Sequence, residues 1–280
     1  MLKSQKQRST DVDLSRDNPL NVAITTRDSN TIEMVRAAIS HRNVLLAYQP
    51  VMRADRSGMV AFYEGLVRVL DDTGRIIPAK DFILTVENSE TGRELDVIAL
   101  TQGLQALHQH PSLRLSINMS ARSIGYLKWM RVLNRWLDKD TTLGERLILE
   151  ITESSAIMVP ELVIDFMSRL QHRGICFAMD DFGAGHTAIR YFKDFFFDIV
   201  KIDGQFIKGI SSNSDNRAVT AALVSIARHF DMLTVAEFVE NAEDESVLIE
   251  LGVDCLQGYH YGAATTRPSF LQKRQKRASA

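Results

Sequence analysis

Short apolar runs and amphipathic stretches alternate along most of this chain, and that alternation restricts its possible folds more than any other feature. The strand-like runs are "NVLLAYQPVM", "MVAFYEGLVRVL", "LRLSINMS", "RLILEITES", "ICFAMDD", "FDIVKID", "LTVAEFVE" and "DCLQGYHYG". Around them, "TIEMVRAAISH", "ELDVIALTQGLQALHQH", "SIGYLKWMRVLNRWLDK", "PELVIDFMSRLQHRG" and "AVTAALVSIARHF" carry apolar residues at helical spacing. Eight such runs over about 250 residues predict an α/β fold, a TIM-type (β/α)8 barrel with parallel strands inside and helices outside. One connection breaks the pattern. The first two runs are joined by "RADRSG", too short for a parallel crossover, which needs roughly a dozen residues or more. The barrel is therefore predicted to be a modified one, with its first strand antiparallel.

Residues 1–30 are polar and without sustained periodicity, which predicts a flexible N-terminal leader. The barrel domain is expected over 31–270, followed by a basic, flexible tail at 271–280, "LQKRQKRASA". A net charge of -2 and a pI near 6.4 give no global reason to expect polymeric nucleic acid or a membrane surface as partner. No window approaches the roughly 18 apolar residues of a membrane span, and the N-terminus lacks the apolar core of a signal peptide. A cytoplasmic location is the expectation. Cys176 and Cys255 form no metal or redox spacing and read as buried thiols in a reducing compartment.

Side chains two apart on a strand share a face. In "LRLSINMS", Leu113, Leu115 and Ile117 face the helices, which turns Ser116, Asn118 and Ser120 inward. Glu150 shares a face with Ile148 and Thr152, and Asp180 with Ala178; Glu64, Leu66 and Arg68 lie together, opposite Gly65. Lys201 ends "DIVK", Glu237 sits in "TVAEF" and Gln257 follows "DCL". Each has an ordinary explanation alone: a solvated rim acid or helix cap, a salt-bridge lysine, a glutamine satisfying the backbone. The adjacent acids of "MDDFGAG" (179–185), taken alone, read first as a loop start, the sharper reading being a metal site beside a mobile loop. Together, however, polar residues near the C-terminal ends of seven strands converge on the face where barrel active sites are assembled. Glu64, Glu150, Asp180, Asp181 and Glu237 gathered there would repel one another strongly, and bound cations are the simplest relief. Oxygen-only donors favour magnesium or manganese over zinc.

The motifs also run in the order of a known family. "AYQPV" (47–51), "EGLVR" (64–68), "IIPAKDFI" (76–83), "SINMSA" (116–121), "LEITES" (149–154), "AMDDFGAG" (178–185), "VKIDGQFI" (200–207), "VAEFVE" (235–240) and "QGYHYG" (257–262) resemble those of EAL domains, bacterial phosphodiesterases that hydrolyse cyclic di-GMP. The resemblance covers about residues 40 to 268. It implies a two-metal site in which Glu64, Asn118, Glu150 and Asp180 ligate one ion. Asp180 or Asp181, with Glu237, would serve the second ion and the water between them. Lys201 would orient and polarise that water, Glu153 would hold the loop after Asp181, and Gln257 would complete the water and metal shell. Arg68 would contact a substrate phosphate, with Gln49 and Leu66 lining the ligand pocket. Linear pGpG is the implied product, and the implied assembly is a homodimer packed near the loop after Asp181. A regulatory protein partner is also compatible with this loop.

Four departures stand out. The signature alanine is Gly65, and Phe238 stands where the family's "AEGVE" has glycine. The loop reads "DDFGAGHTAIRYF", and the end reads "QGYHYGAATTRPSF". None removes an implied ligand. They leave two alternatives to the enzyme: a cyclic di-GMP receptor with negligible turnover, and a protein-interaction module.

Overall fold

The computed structural model describes residues 19–184 and 193–272. Eight strands close on themselves: β1 (Val44–Arg53), β2 (Val60–Leu70), β4 (Leu115–Asn118), β5 (Leu147–Thr152), β6 (Cys176–Phe182), β7 (Ile199–Ile202), β8 (Leu233–Ala236) and β9 (Cys255–Leu256). A ninth strand, β3 (Ile76–Pro78), folds back on β2 outside the circle and was not anticipated. The pairs β2–β4, β4–β5, β5–β6, β6–β7, β7–β8 and β8–β9 are parallel. β1 is antiparallel to both of its neighbours, β2 and β9. The short connection thus has the predicted effect, and closure removes the sheet edges.

Helices cover the outside: α1 (Pro19–Ser40), α2 (Ile83–Val86), α3 (Glu90–Gln109), α4 (Leu127–Lys139), α5 (Glu153–Met158), α6 (Pro160–Gln171), α7 (Gly204–Ile207), α8 (Ser214–His229), α9 (Ala242–Glu250) and α10 (Ser269–Gln272). Their starts follow from capping chemistry. Asn213 and Asn241 accept backbone N–H groups at the heads of α8 and α9, and Pro160 opens α6 where its missing N–H costs nothing. Residues 19–30, read as part of a polar leader, continue α1 as helix; residues 1–18 and the tail from 273 lie outside the described residues. So does 185–192, the loop on which a dimer contact was expected.

The strand alternation separates two cores. Leu115, Ile117, Leu149, Ile151, Phe177, Met179, Val200, Ile202, Ala236 and Leu256 face the helices. Val51, Phe62, Ile148, Ala178, Ile199, Val235 and Cys255 fill the barrel interior. Cys255 is buried as expected, whereas Cys176, at the floor end of β6, is only half-buried. No helix among the described residues is long and apolar enough to cross a membrane.

Candidate active site

The interior cluster is the floor of the site. One pleat further toward the C-terminal ends of the parallel strands, Phe62 gives way to Glu64, Ser116 to Asn118, Ile148 to Glu150, Ala178 to Asp180, Ile199 to Lys201, Val235 to Glu237 and Cys255 to Gln257. On the reversed β1 the same step runs backwards, from Val51 to Gln49, which pairs with Glu64. A buried layer that is apolar except at Ser116 thus supports a polar one, as the two-residue period of strands requires.

Lys201 is the centre of that layer and only 1 % exposed. Its Nζ lies 3.3 Å from Glu64 Oε2, 2.9 Å from Glu150 Oε2, 3.1 Å from Asp180 Oδ1 and 2.8 Å from Glu237 Oε1. Asn118 Nδ2 donates to Glu64 Oε1 at 2.7 Å, and Gln257 Nε2 donates to Glu64 Oε2 at 2.6 Å and to Gln49 Oε1 at 3.4 Å. One ammonium cannot balance four carboxylates, because the repulsions among the acids outnumber their attractions to it. Protonation takes up the excess. Burial, reinforced by the charge on Glu64, pushes Glu150 up to about 8. Burial also raises Glu237 well above its ordinary value, against the pull of Lys201. At Glu64 burial is outweighed by Lys201 and by the bonds from Gln257 and Asn118, so this carboxyl is held low. Lys201 is desolvated too, but Asp180, Glu150, Glu237 and Glu64 keep it firmly charged.

Adjacent acids should point to opposite faces, yet both Asp180 and Asp181 reach the mouth. The cause is a bulge. Between the pairs Met179–Val200 and Phe182–Ile202, two residues of β6 oppose the single Lys201 of β7, and Asp181 adopts φ 59°. The extra residue re-aims Asp181 toward the opening. Carboxylate oxygens of Asp180, Asp181 and Glu237 then lie within 4.8 Å of one another. Burial, with Asp180 and Asp203 nearby, pushes Asp181 up to about 6. Glu153, buried at the start of α5, accepts the Gly183 N–H at 3.1 Å and ties down the first residues after the bulge.

The donor set fits hard cations. Glu150 Oε1 and Gln257 Oε1 are buried oxygens without a hydrogen-bond donor; Asp180 Oδ1 has none of good geometry, although Lys201 Nζ is close. Buried acceptors left without a hydrogen-bond donor are costly unless something positive binds them.

Above this layer opens a cavity of ≈ 250 Å³. Gln49 and Leu66 line it together with Asp180, Asp181, Lys201, Glu237 and Gln257. Glu64 also reaches it; Asn118, Glu150 and Glu153 do not line it, and Asn118 and Glu150 join the layer through Glu64 and Lys201. Arg68 lies outside the lining, half-buried, with Nη1 donating to the Val67 carbonyl. Phe238, Glu240 and Tyr259 complete the wall; of these, sequence reasoning noted Phe238 only as a departure. Gly65 is a packing matter, since a Cβ there would sit 2.7 Å from Ile117 Cδ1, in space that Ile117 also shares with Gly103 of α3.

Comparison with known proteins agrees with this architecture. The family model described as "EAL domain" matches residues 32–264. A cyclic di-GMP phosphodiesterase, PdeF of Escherichia coli K12, is 30% identical over 234 residues, covering 81% of this chain and 31% of its own. The chain spans about a third of the length of the curated relatives it matches. Among solved structures, the PaMucR phosphodiesterase in a c-di-GMP complex superposes with a TM-score of 0.74 at 26% identity, covering 84% of this chain and 97% of that one. The FimX EAL domain of Pseudomonas aeruginosa bound to c-di-GMP, at 22% identity and a TM-score of 0.76, shares the fold over 85% of this chain and 97% of its own.

Proposed function

This chain belongs to the EAL domain family, and from that membership we propose that it is a metal-dependent phosphodiesterase hydrolysing cyclic di-GMP to linear pGpG. Such a reaction lowers the level of a second messenger. The observation that carries the reading is the fully assembled polar layer: Lys201 within 3.3 Å of four carboxylates, beneath a cavity at the C-terminal ends of the strands.

In the net reaction water's oxygen joins phosphorus, one P–O ester bond opens, and a proton ends on the leaving ribose oxygen. Two magnesium or manganese ions, held by Glu64, Asn118, Glu150 and Asp180 and by Asp181 with Glu237, would supply Lewis acidity and neutralise the diester. Lys201 does two things. Its ammonium holds Glu64 low and opposes the upward push on Glu150 and Glu237, and it sets a compact positive charge where the reacting phosphate gains negative charge. Gln257 and Asn118 orient Glu64 through their donated bonds. Glu153 fixes the backbone after Asp181 through Gly183, so a Glu153 change acts on positioning. Gln49 and Leu66 shape the cavity wall.

The test is a time course with cyclic di-GMP and magnesium or manganese, nucleotides being separated chromatographically, beside a Glu64→Ala control. Formation of pGpG, abolished by chelator and in the control, is expected. A second reading, a receptor that binds without turnover, is favoured by one observation: Phe238 next to Glu237 has φ 55°, a strained backbone beside a proposed metal ligand. Measured binding with intact nucleotide throughout would select it.

A further inference from the structure

Phe238 is held in a way that core packing does not account for. Its φ of 55° is rarely adopted by bulky residues, yet the side chain is not sequestered in return: the residue remains 48 % exposed. Two features fix the ring. Gly204, first residue of α7, leaves it room, since a Cβ at 204 would collide with Phe238 Cδ2. Lys208 Nζ sits 4.6 Å from the ring centroid, a cation–π contact. A strained backbone, a glycine that admits the ring and a cation stacked on it hold an aromatic surface at the rim of the cavity, where it lines the wall with Tyr259.

The size of the cavity says what this surface is for. At ≈ 250 Å³ it falls below the roughly 300–1,000 Å³ of pockets that enclose a drug-sized ligand. A cyclic dinucleotide cannot sink into it whole. Its phosphodiester fits the polar depth around Lys201, which leaves the bases on the rim.

We propose that Phe238, backed by Lys208, is a stacking platform for a purine base of the nucleotide and a principal determinant of its affinity. The inference rests on the cyclic di-GMP reading above and adds a contact to it. Base–aromatic stacking is worth about 1–3 kcal/mol per base, or about 5- to 150-fold in affinity. Lys208 on the ring adds to the hold by fixing its orientation.

The test is calorimetric titration of wild type, Phe238→Ala, Phe238→Leu, Phe238→Trp and Lys208→Met with cyclic di-GMP, with and without magnesium, beside thermal melts. Phe238→Ala is expected to weaken binding within that range and Phe238→Leu to recover little of it, since bulk without a π face does not stack. Phe238→Trp should retain affinity, and its indole fluorescence should be quenched as nucleotide is added. Lys208→Met should weaken binding less than Phe238→Ala does. A merely structural residue would move the melting temperature and leave the Leu–Trp distinction unseen. Wild-type binding with equal affinity for the Ala and Trp variants and no quenching overturns this inference alone. Absence of cyclic di-GMP binding by wild type overturns the functional reading and this inference with it.

Discussion

Replacing Lys201 with methionine keeps the length of the side chain and removes the only cation in contact with Glu64, Glu150, Asp180 and Glu237 among the described residues. Breaking a buried ion pair by deleting one partner costs about 3–5 kcal/mol, because the remaining charge is left uncompensated. Two of the four acids can escape by holding protons, since Glu150 is already pushed to about 8 and Glu237 is raised as well. The loss should therefore lie near the lower end, about 3 kcal/mol, or roughly 6–12 °C in melting temperature for a domain of this size. Thermal melts in chelator at pH 8 measure it. Without Lys201 the folded Glu64 titrates higher than it does now, so the deficit should shrink as pH falls from about 8 toward 5. Magnesium should stabilise Lys201→Met more than wild type, because the ion then replaces the missing charge as well as relieving repulsion. Equal magnesium shifts in the two proteins, or a melt within about 2 °C of wild type in chelator, would refute the assignment of Lys201 as counter-ion to the acids.

Three further outcomes follow from named contacts. In chelator, Glu150 keeps its proton in the folded state between its ordinary value of 4.5 and about 8. Stability should therefore fall as pH rises through that window, by up to about 1.4 kcal/mol per pH unit, and magnesium should flatten the slope in denaturant titrations. Glu153→Ala removes the acceptor of the Gly183 N–H and should reduce turnover about 10- to 100-fold, as outer-shell losses at metal sites do; cyclic di-GMP affinity, read by calorimetry, should change far less. Gly65→Ala forces its Cβ against Ile117 Cδ1 and should cost about 1–3 kcal/mol. Ile117→Val in the same chain should recover most of that, with pGpG formation per folded molecule unchanged throughout.

Much of the site follows from arithmetic on the strands. Once a barrel is inferred, the residue two positions beyond each interior apolar side chain must enter the polar layer, which places Glu64, Glu150, Asp180, Lys201, Glu237 and Gln257, and Asn118 follows by the same step from the inward-facing Ser116. The rule fails where a strand breaks its own period. Asp181 belongs to the helix side by alternation and reaches the mouth only through the bulge opposite Lys201, a feature that "MDDFG" does not announce. Phe238 fails the rule for a related reason: its left-handed backbone ends the alternation immediately after Glu237 and brings to the cavity a ring expected to point away from it. The short β3 and the extension of α1 back to Pro19 were also hidden. A three-residue strand has too few side chains to show a period, and the polar "TTRDSN" at 25–30 masks a helix that continues from the apolar turns after it.

The reversed first strand has a mechanical consequence. Val44, where β1 begins, pairs with Val69 near the end of β2, so the chain enters the barrel at its open end. In an all-parallel barrel the first strand would be entered from the floor, and whatever is attached ahead of it would be separated from the chemistry by the height of the sheet. Here the last turns of α1 pack through Val35 and Ala38 against Val44, Val69 and Ile77, one residue from Arg68 and beside the rim. A tilt of this helix, imposed by any sequence ahead of it, would act with a short lever arm on the walls of the opening.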